Sequence, residues 1–286
     1  MTIGTPSSRP HAMTRVTGLF LYPVKSLRGY AVPIASLDAL GFVGDRRFLV
    51  VDESGKFLTQ RTHPRMALIN ARLAGGILTL SADGVGSISV SETSDPSASL
   101  RSVSIWKHEG LLAEDCGPAV ATWLSSFLGS QCLLVRIGPK FQRPMLKPAS
   151  RPGDLFTFAD GAPILVVSEA SVAMLNDRIV ADGGEPVPMN RFRPNLVVDG
   201  CAAFAEDTWS RLQLGDVILR SAGQSERCMI TTTDQLTAER GKEPLRTLAT
   251  FRRSPANPTE VVFGVNLINE SKNGTIRIGD EAVFTV

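Results

Sequence analysis

The sequence predicts a β-rich, mixed α/β chain in two domains, each a barrel or strongly curved sheet with few helices. Short apolar runs of strand length recur in both halves, each closed by Gly, Asp, Ser or Pro. Helical periodicity is confined to a few stretches. A basic stretch with a proline every few residues separates the halves. At 286 residues the chain is long enough for two medium cores. Hydrophobic content of 43% with 20% charged residues is ordinary for a soluble globular protein. A net charge of +2 gives no strong attraction to nucleic acid or to a membrane surface. No apolar run approaches the ~20 residues of a membrane span.

In chain order, residues 1–13 are polar, contain Pro6 and Pro10, and lack an apolar signal core, so a disordered leader is expected. The first domain spans 14–136. Val16 to Val24 reads as a strand, Ala31 to Leu40 as a short extended region, and Gly41 to Asp45 as a turn. Arg46 to Val51 forms the next strand, and Asp52 to Gly55 closes a hairpin into Phe57 and Leu58. Further short strands are expected at 68–73, 77–80, 88–90 and 102–106. Pro118 to Leu128 predicts a helix, with Pro118 at its first position and a stripe of Val120, Trp123, Leu124, Phe127 and Leu128. Gly129 ends it.

Residues 137–152 are the connector. No acidic residue occurs between Cys116 and Gly153, while Arg136, Lys140, Arg143, Lys147 and Arg151 alternate with prolines. Two readings stand: a solvated linker, or a positive strap beside an anionic ligand or an acidic partner.

The second domain spans 153–286. A strand over Pro163 to Val167 leads to Ser168, which caps a helix carrying Val172, Leu175 and Ile179. The helix ends near Gly183 and Gly184. Arg191 and Arg193 flank Phe192 before a strand at Leu196 to Val198, and guanidinium groups so placed suit an anion. Leu212 to Leu219 and Ile276 to Val283 share a strand–Gly-Asp–strand pattern and read as tight hairpins. Pro244 starts a third helix with Leu245, Leu248 and Phe251.

The stretch SAGQSERCMITTTD, Ser221 to Asp234, organises the rest. Its first half reads as a polar loop and Met229 to Thr233 as a strand, so Cys228 stands where a loop enters a sheet. Cys228 is either a small buried residue or a reactive sulfur favoured by the Arg227 charge. The four cysteines form no C-x-x-C pair, and the three histidines stand apart, which argues against zinc, iron–sulfur or His-triad chemistry. A redox metal would have to bind through a soft thiolate, with a cofactor supplying most of its ligands.

Several motifs recur in one order: Tyr22-Pro23-Val24-Lys25-Ser26, Gly44-Asp45-Arg46, Asp115-Cys116-Gly117, Phe192-Arg193-Pro194-Asn195, Ala205 to Trp209, and Arg227-Cys228 with Thr231-Thr232. On these the chain resembles the MOSC-domain molybdenum enzymes that carry an N-terminal MOSC β-barrel. It is similar to the mitochondrial amidoxime-reducing components and their bacterial relatives that reduce N-hydroxylated bases. The resemblance implies a molybdenum cofactor (molybdenum–molybdopterin) with Cys228 as the metal ligand. It implies cofactor contacts from Lys25, Ser26 and Arg46 in the first domain and from Arg193, Asn195 and Arg227 in the second. Asp160 matches an acidic residue near the pterin and is expected to serve as a proton source if burial raises its pKa. The next two positions, Gly161 and Ala162, carry hydroxyls in the animal relatives, and Glu226 stands where relatives often have a small polar residue.

The implied reaction is reduction of a small N-hydroxylated substrate to the amine. No C-x4-C-x2-C signature is present, so a separate electron donor is expected: a ferredoxin, a cytochrome b5-like protein or a flavin reductase. A cytoplasmic monomer, bound to neither membrane nor nucleic acid, is expected. The runner-up is a sulfur-carrier or cofactor-delivery module in which Cys228 holds a persulfide.

Overall fold

The computed structural model describes residues 13–286, so the expected leader, apart from Met13, lies outside the described residues. The first half runs β1 (Arg15–Leu21), β2 (Tyr30–Ala31), β3 (Ile34–Asp38), β4 (Gly41–Phe42), β5 (Phe48–Val51), β6 (Asn70–Ala74), β7 (Ile77–Ala82) and β8 (Gly86–Ser91). It continues with β9 (Leu100–Ile105), β10 (His108–Asp115), α1 (Pro118–Leu128) and β11 (Leu133–Arg136). The second half holds β12 (Ile164–Ser168), α2 (Glu169–Ala181), β13 (Leu196–Asp199), β14 (Arg211–Leu214) and β15 (Val217–Arg227). It ends with α3 (Leu245–Phe251), β16 (Val261–Asn269), β17 (Gly274–Arg277) and β18 (Ala282–Thr285).

An eight-stranded sheet runs in the order β18-β14-β15-β16-β12-β13-β1-β2. Its far regions meet, because the backbone of Thr14 and Val16 hydrogen-bonds the segment from Gly279 to Ala282 that leads into β18. The sheet therefore curls into a barrel around one apolar core containing Val16, Leu19, Ile164, Leu196, Leu212, Leu219 and Leu267. The first half has its own core, in which Phe48, Val50, Met66, Leu78 and Leu80 pack against Val120, Leu124 and Phe127 of α1. The helix stripe expected from the sequence faces inward, and Gly129 closes α1 at φ 70°. In α2 the Ser168 hydroxyl accepts from Ser171 N at 3.1 Å, and Val172, Leu175 and Ile179 are buried.

The halves interlock by exchanging strands. β1 pairs antiparallel with β13, Leu19 opposite Leu196, while β17 returns to pair with β3, Ile276 opposite Ala35. This corrects the expected hairpin over 276–283, since β17 and β18 belong to different sheets. Leu212 to Leu219 does form the expected hairpin. The connector has no regular strand or helix, apart from one bridge between Pro144 and Leu155.

The stretch around Cys228 is organised in the reverse sense to expectation. Ser221 to Arg227 is the end of β15 rather than a loop. Gly223, at φ 86°, marks the irregular pairing with β16 that lets the strand bend. Met229–Thr232 is a turn of 3-10 helix and not a strand. The hydroxyls of Thr231 and Thr232 donate to the carbonyls of Cys228 and Met229 at 2.9 and 2.8 Å. Local side-chain bonds of this kind compete with a sheet ladder. β10 was not anticipated, because Gly110 and the acidic residues around it dilute its apolar pattern.

Candidate active site

A cleft of about 620 Å³ lies where the barrel meets the first half, within the size range of small-ligand sites. Lys25, Ser26, Arg46, Asp160, Gly161, Ala162, Arg193, Asn195, Glu226, Arg227 and Cys228 all line it. Residues far apart in sequence converge because β1 is woven into the barrel and carries the turn at 22–27 with it.

The backbone at this site is strained. Ser26, Arg46, Trp106 and Arg193 all hold positive φ, between 48° and 66°. Non-glycine residues take up this region at a cost, and such strain concentrates where side chains must be aimed.

The cations divide into two kinds. Lys25, buried at 3% exposure, donates to the Phe158 carbonyl at 2.9 Å and to Asp160 Oδ1 at 2.5 Å. Burial brings its ammonium down to about 8 against the support of Asp160. Arg46 donates to both oxygens of the buried Asp45 and to Asn195 Oδ1, at 2.7 to 2.9 Å. Asn195 in turn donates to the Phe20 carbonyl at 3.1 Å. Lys25 and Arg46 are thus already paired, and Asn195 serves chiefly as a bracket for Arg46, not as a free donor.

Arg193 and Arg227 are different. Among the described residues the Arg193 guanidinium makes no hydrogen bond, and it lies 4.3 Å from the centre of the Tyr22 ring. Arg227 donates to the Phe192 carbonyl at 2.7 Å and to Ser225 Oγ at 3.1 Å. Its Nε is buried without a partner among the described residues. Burial brings both arginines down to about 10.

Cys228 is half-buried at the end of β15. The guanidinium that hydrogen-bonds its sulfur belongs to Arg61, with Nη2 to Sγ at 3.0 Å, and not to the neighbouring Arg227. Arg61 also lies 4.6 Å from the centre of the Trp106 ring, and Trp106 Nε1 donates to Asp160 at 2.8 Å. Sequence reasoning missed both residues. Arg61 follows an unremarkable Thr59-Gln60 pair, whereas a lone Trp at a hairpin turn was a usable cue.

Asp160 corrects an expectation. Burial alone would push its carboxyl up, but the Lys25 charge and hydrogen bond, with Arg61 and Trp106, hold it well below the usual carboxylate range. It stands as an ionised acceptor for Lys25 and Trp106, the reverse of the raised carboxyl expected of a proton source. Beside it, a side chain at Gly161 would meet Lys147 at 3.3 Å, and Ala162 is buried. Glu226 sits exposed near Glu260, whose carboxyl it raises. The connector mixes its two readings: Lys140 is exposed, but Arg143 is buried and donates to the carbonyls of Thr157 and Ala159 at 2.8 and 2.6 Å. Arg143 thereby anchors the segment that presents Asp160.

Residues 13–131 match the MOSC N-terminal beta barrel domain and residues 154–283 match the MOSC domain. The chain is 35% identical to "Mitochondrial amidoxime-reducing component 1" of Homo sapiens, over 93% of this chain and 81% of that protein. The chain belongs to the MOSC-domain family. The protein of the same name from Mus musculus is also 35% identical, over 98% of this MOSC chain and 86% of its own length. "Molybdenum cofactor sulfurase" of Danio rerio is 33% identical over 95% of this chain, which spans 34% of that longer protein. Among the described residues no helix of this MOSC protein is long and apolar enough to cross a membrane.

The donor set can be tested against the cofactor implied by these relatives. No group of three or more His, Cys, Asp or Glu among the described residues stands ready to hold a metal, so a bound metal would bring most of its ligands with it. One accessible thiol, an unpartnered buried Nε and an unbonded guanidinium in one cleft fit an anionic, phosphate-bearing group with a soft or high-valent metal.

Proposed function

We propose that the protein is a molybdenum-cofactor-dependent oxidoreductase that reduces N-hydroxylated substrates (hydroxylamines, amidoximes and N-hydroxylated purine bases) to amines. The observation that carries this reading is the Cys228 sulfur standing in a cleft with the Arg193 guanidinium, which makes no hydrogen bond among the described residues, and with Arg227, whose Nε has no partner there. When bound, the cofactor supplies two electrons to the N–OH bond, which with two protons yields N–H and water.

The chain's own residues bind and orient. Cys228 would hold the metal, and Arg193 and Arg227 would neutralise the pterin phosphate. Arg46, fixed by Asp45 and Asn195, would keep a positive wall without being consumed. Fixed cations of this kind offset the cost, several kcal/mol per charge, of burying an anion. At the cleft wall Lys25, brought down to about 8 by burial, can hold and release a proton at Nζ near neutral pH. Asp160 orients that ammonium. Electrons would come from a separate ferredoxin, cytochrome b5-like protein or flavin reductase.

Purified protein assayed with a chemical reductant and 6-N-hydroxylaminopurine tests the proposal. Stoichiometric molybdenum with conversion to adenine supports it; molybdenum-loaded protein that turns over neither this base nor an amidoxime rejects it. The match to a cofactor sulfurase favours one second reading, a carrier with a Cys228 persulfide. Cyanide-labile sulfur without turnover would select that reading.

A further inference from the structure

Arg61 belongs to none of the motifs that point to the cofactor, yet among the described residues it makes the one side-chain hydrogen bond to the Cys228 sulfur, at 3.0 Å. It reaches across from the first half, on the loop between β5 and β6. That loop is clamped from the other half, where Arg240 Nη2 donates to the carbonyls of Gln60 and Arg61, both at 2.6 Å. Beside it, the buried Gln60 and Gln235 amides hydrogen-bond each other at 3.1 Å. The far side of the guanidinium is defined by Trp106, whose indole is fixed by Asp160. A surface arginine is ordinarily free to rotate. This one is held by its backbone, by a ring and by the sulfur.

We propose that Arg61 is a positioning residue for Cys228: it holds the sulfur toward the cleft and sets a positive field on it. The role in a loaded enzyme rests on Cys228 being the metal ligand. Donors to a metal-ligating group orient it and withdraw charge from it, and their loss typically costs 10–100-fold in metal affinity or activity. Hydrogen bonds to a ligating sulfur also raise the reduction potential of the centre.

Two variants test the assignment, Arg61→Met, which keeps the aliphatic stem, and Arg61→Lys, which keeps the charge. The first readout needs no cofactor. Full-length protein made in a host lacking molybdopterin is treated with iodoacetate or iodoacetamide, and the Cys228 peptide is quantified by mass spectrometry. The ratio of the two rates cancels the ionised fraction and reports the local field, since only iodoacetate is an anion. A neighbouring full charge corresponds to about a five-fold change in that ratio. The ratio is expected to fall about five-fold in Arg61→Met and to be largely restored in Arg61→Lys, with unchanged thermal unfolding. An unchanged ratio in Arg61→Met overturns the proposal.

The second readout is molybdenum retained after dialysis of loaded protein, together with the potential of the centre. Retention is expected to fall at least about 10-fold in Arg61→Met, and the potential to move negative. Retention and potential equal to wild type overturn the role at the metal. If wild-type protein takes up no molybdenum, the proposed function fails, while the alkylation ratio still decides the contact between Arg61 and Cys228.

Discussion

Lys25 Nζ and Asp160 Oδ1 lie 2.5 Å apart at the wall of the cleft, one buried and the other half-exposed. The carboxyl of Asp160 is held below its ordinary range chiefly by that ammonium, which outweighs the partial desolvation of its place at the cleft wall. A depressed carboxylate stabilises the fold above the unfolded-chain value near 4 and loses that contribution as pH falls. Asp160→Asn should cost about 1 to 2 kcal/mol at pH 7, allowing for its exposure. The variant should also lose stability less steeply than wild type below pH 4. Urea unfolding at several pH values checks both.

Lys25 titrates in the opposite sense. Its folded value of about 8 lies below the ordinary 10.5, so the unfolded chain binds more protons between those values. Stability therefore gains from this group as pH rises through that window. If Lys25 also holds the reaction proton, turnover with a chemical reductant should decline as pH rises through about 8. Lys25→Arg, with its far more basic group, should remove that limb and lower the rate at pH 7. A limb that persists in the variant would assign it to another group.

Arg46 and Arg193 line one cleft and should fail differently. Arg46 is the charge partner of Asp45, which is 2% exposed. Arg46→Met leaves that carboxylate buried and unpaired, an expected loss of about 3 kcal/mol. Among the described residues Arg193 has no acidic partner, and it sits at φ 56°, a conformation asparagine accepts. Arg193→Asn should cost no more than about 1 kcal/mol, the stacking on Tyr22, yet weaken cofactor retention. Chemical denaturation beside molybdenum analysis separates the two outcomes.

What the sequence disclosed follows from the range of the interactions. α1 and α2 were legible because a helix writes its buried face into a local period, and Ser168 wrote its cap beside it. The exchange of β1 and β17 between the halves left no local mark, because pairing partners are not encoded at the strand. Gly223 and the threonines after Cys228 misled for a related reason. A bulged strand resembles a loop, and β-branched residues resemble a strand until their hydroxyls find backbone carbonyls. The cleft residues were legible through motifs, but motifs name residues and not their partners. That Asp160 is tied to Lys25, that Asn195 is spent on Arg46, and that Arg61 reaches the sulfur are all tertiary facts.

Cys228→Ala should separate ligation from folding cleanly. The side chain is half-buried and belongs to none of the five apolar cores, so truncation should change stability by no more than about 0.5 kcal/mol. The remaining cysteines cannot stand in for it. Burial pushes the Cys116 thiol up to about 12 and the Cys201 thiol up to about 11, and Cys132 is raised in the same way by packing in the first core. None of these three thiols lines the cleft, and burial disfavours the thiolate in each. Loss of molybdenum in Cys228→Ala with unchanged unfolding would therefore report a metal bond, and loss of cyanide-labile sulfur without any molybdenum in wild type would report a persulfide. Full molybdenum in the variant would remove Cys228 as the metal ligand, and cyanide-labile sulfur unchanged in the variant would remove it as the persulfide carrier.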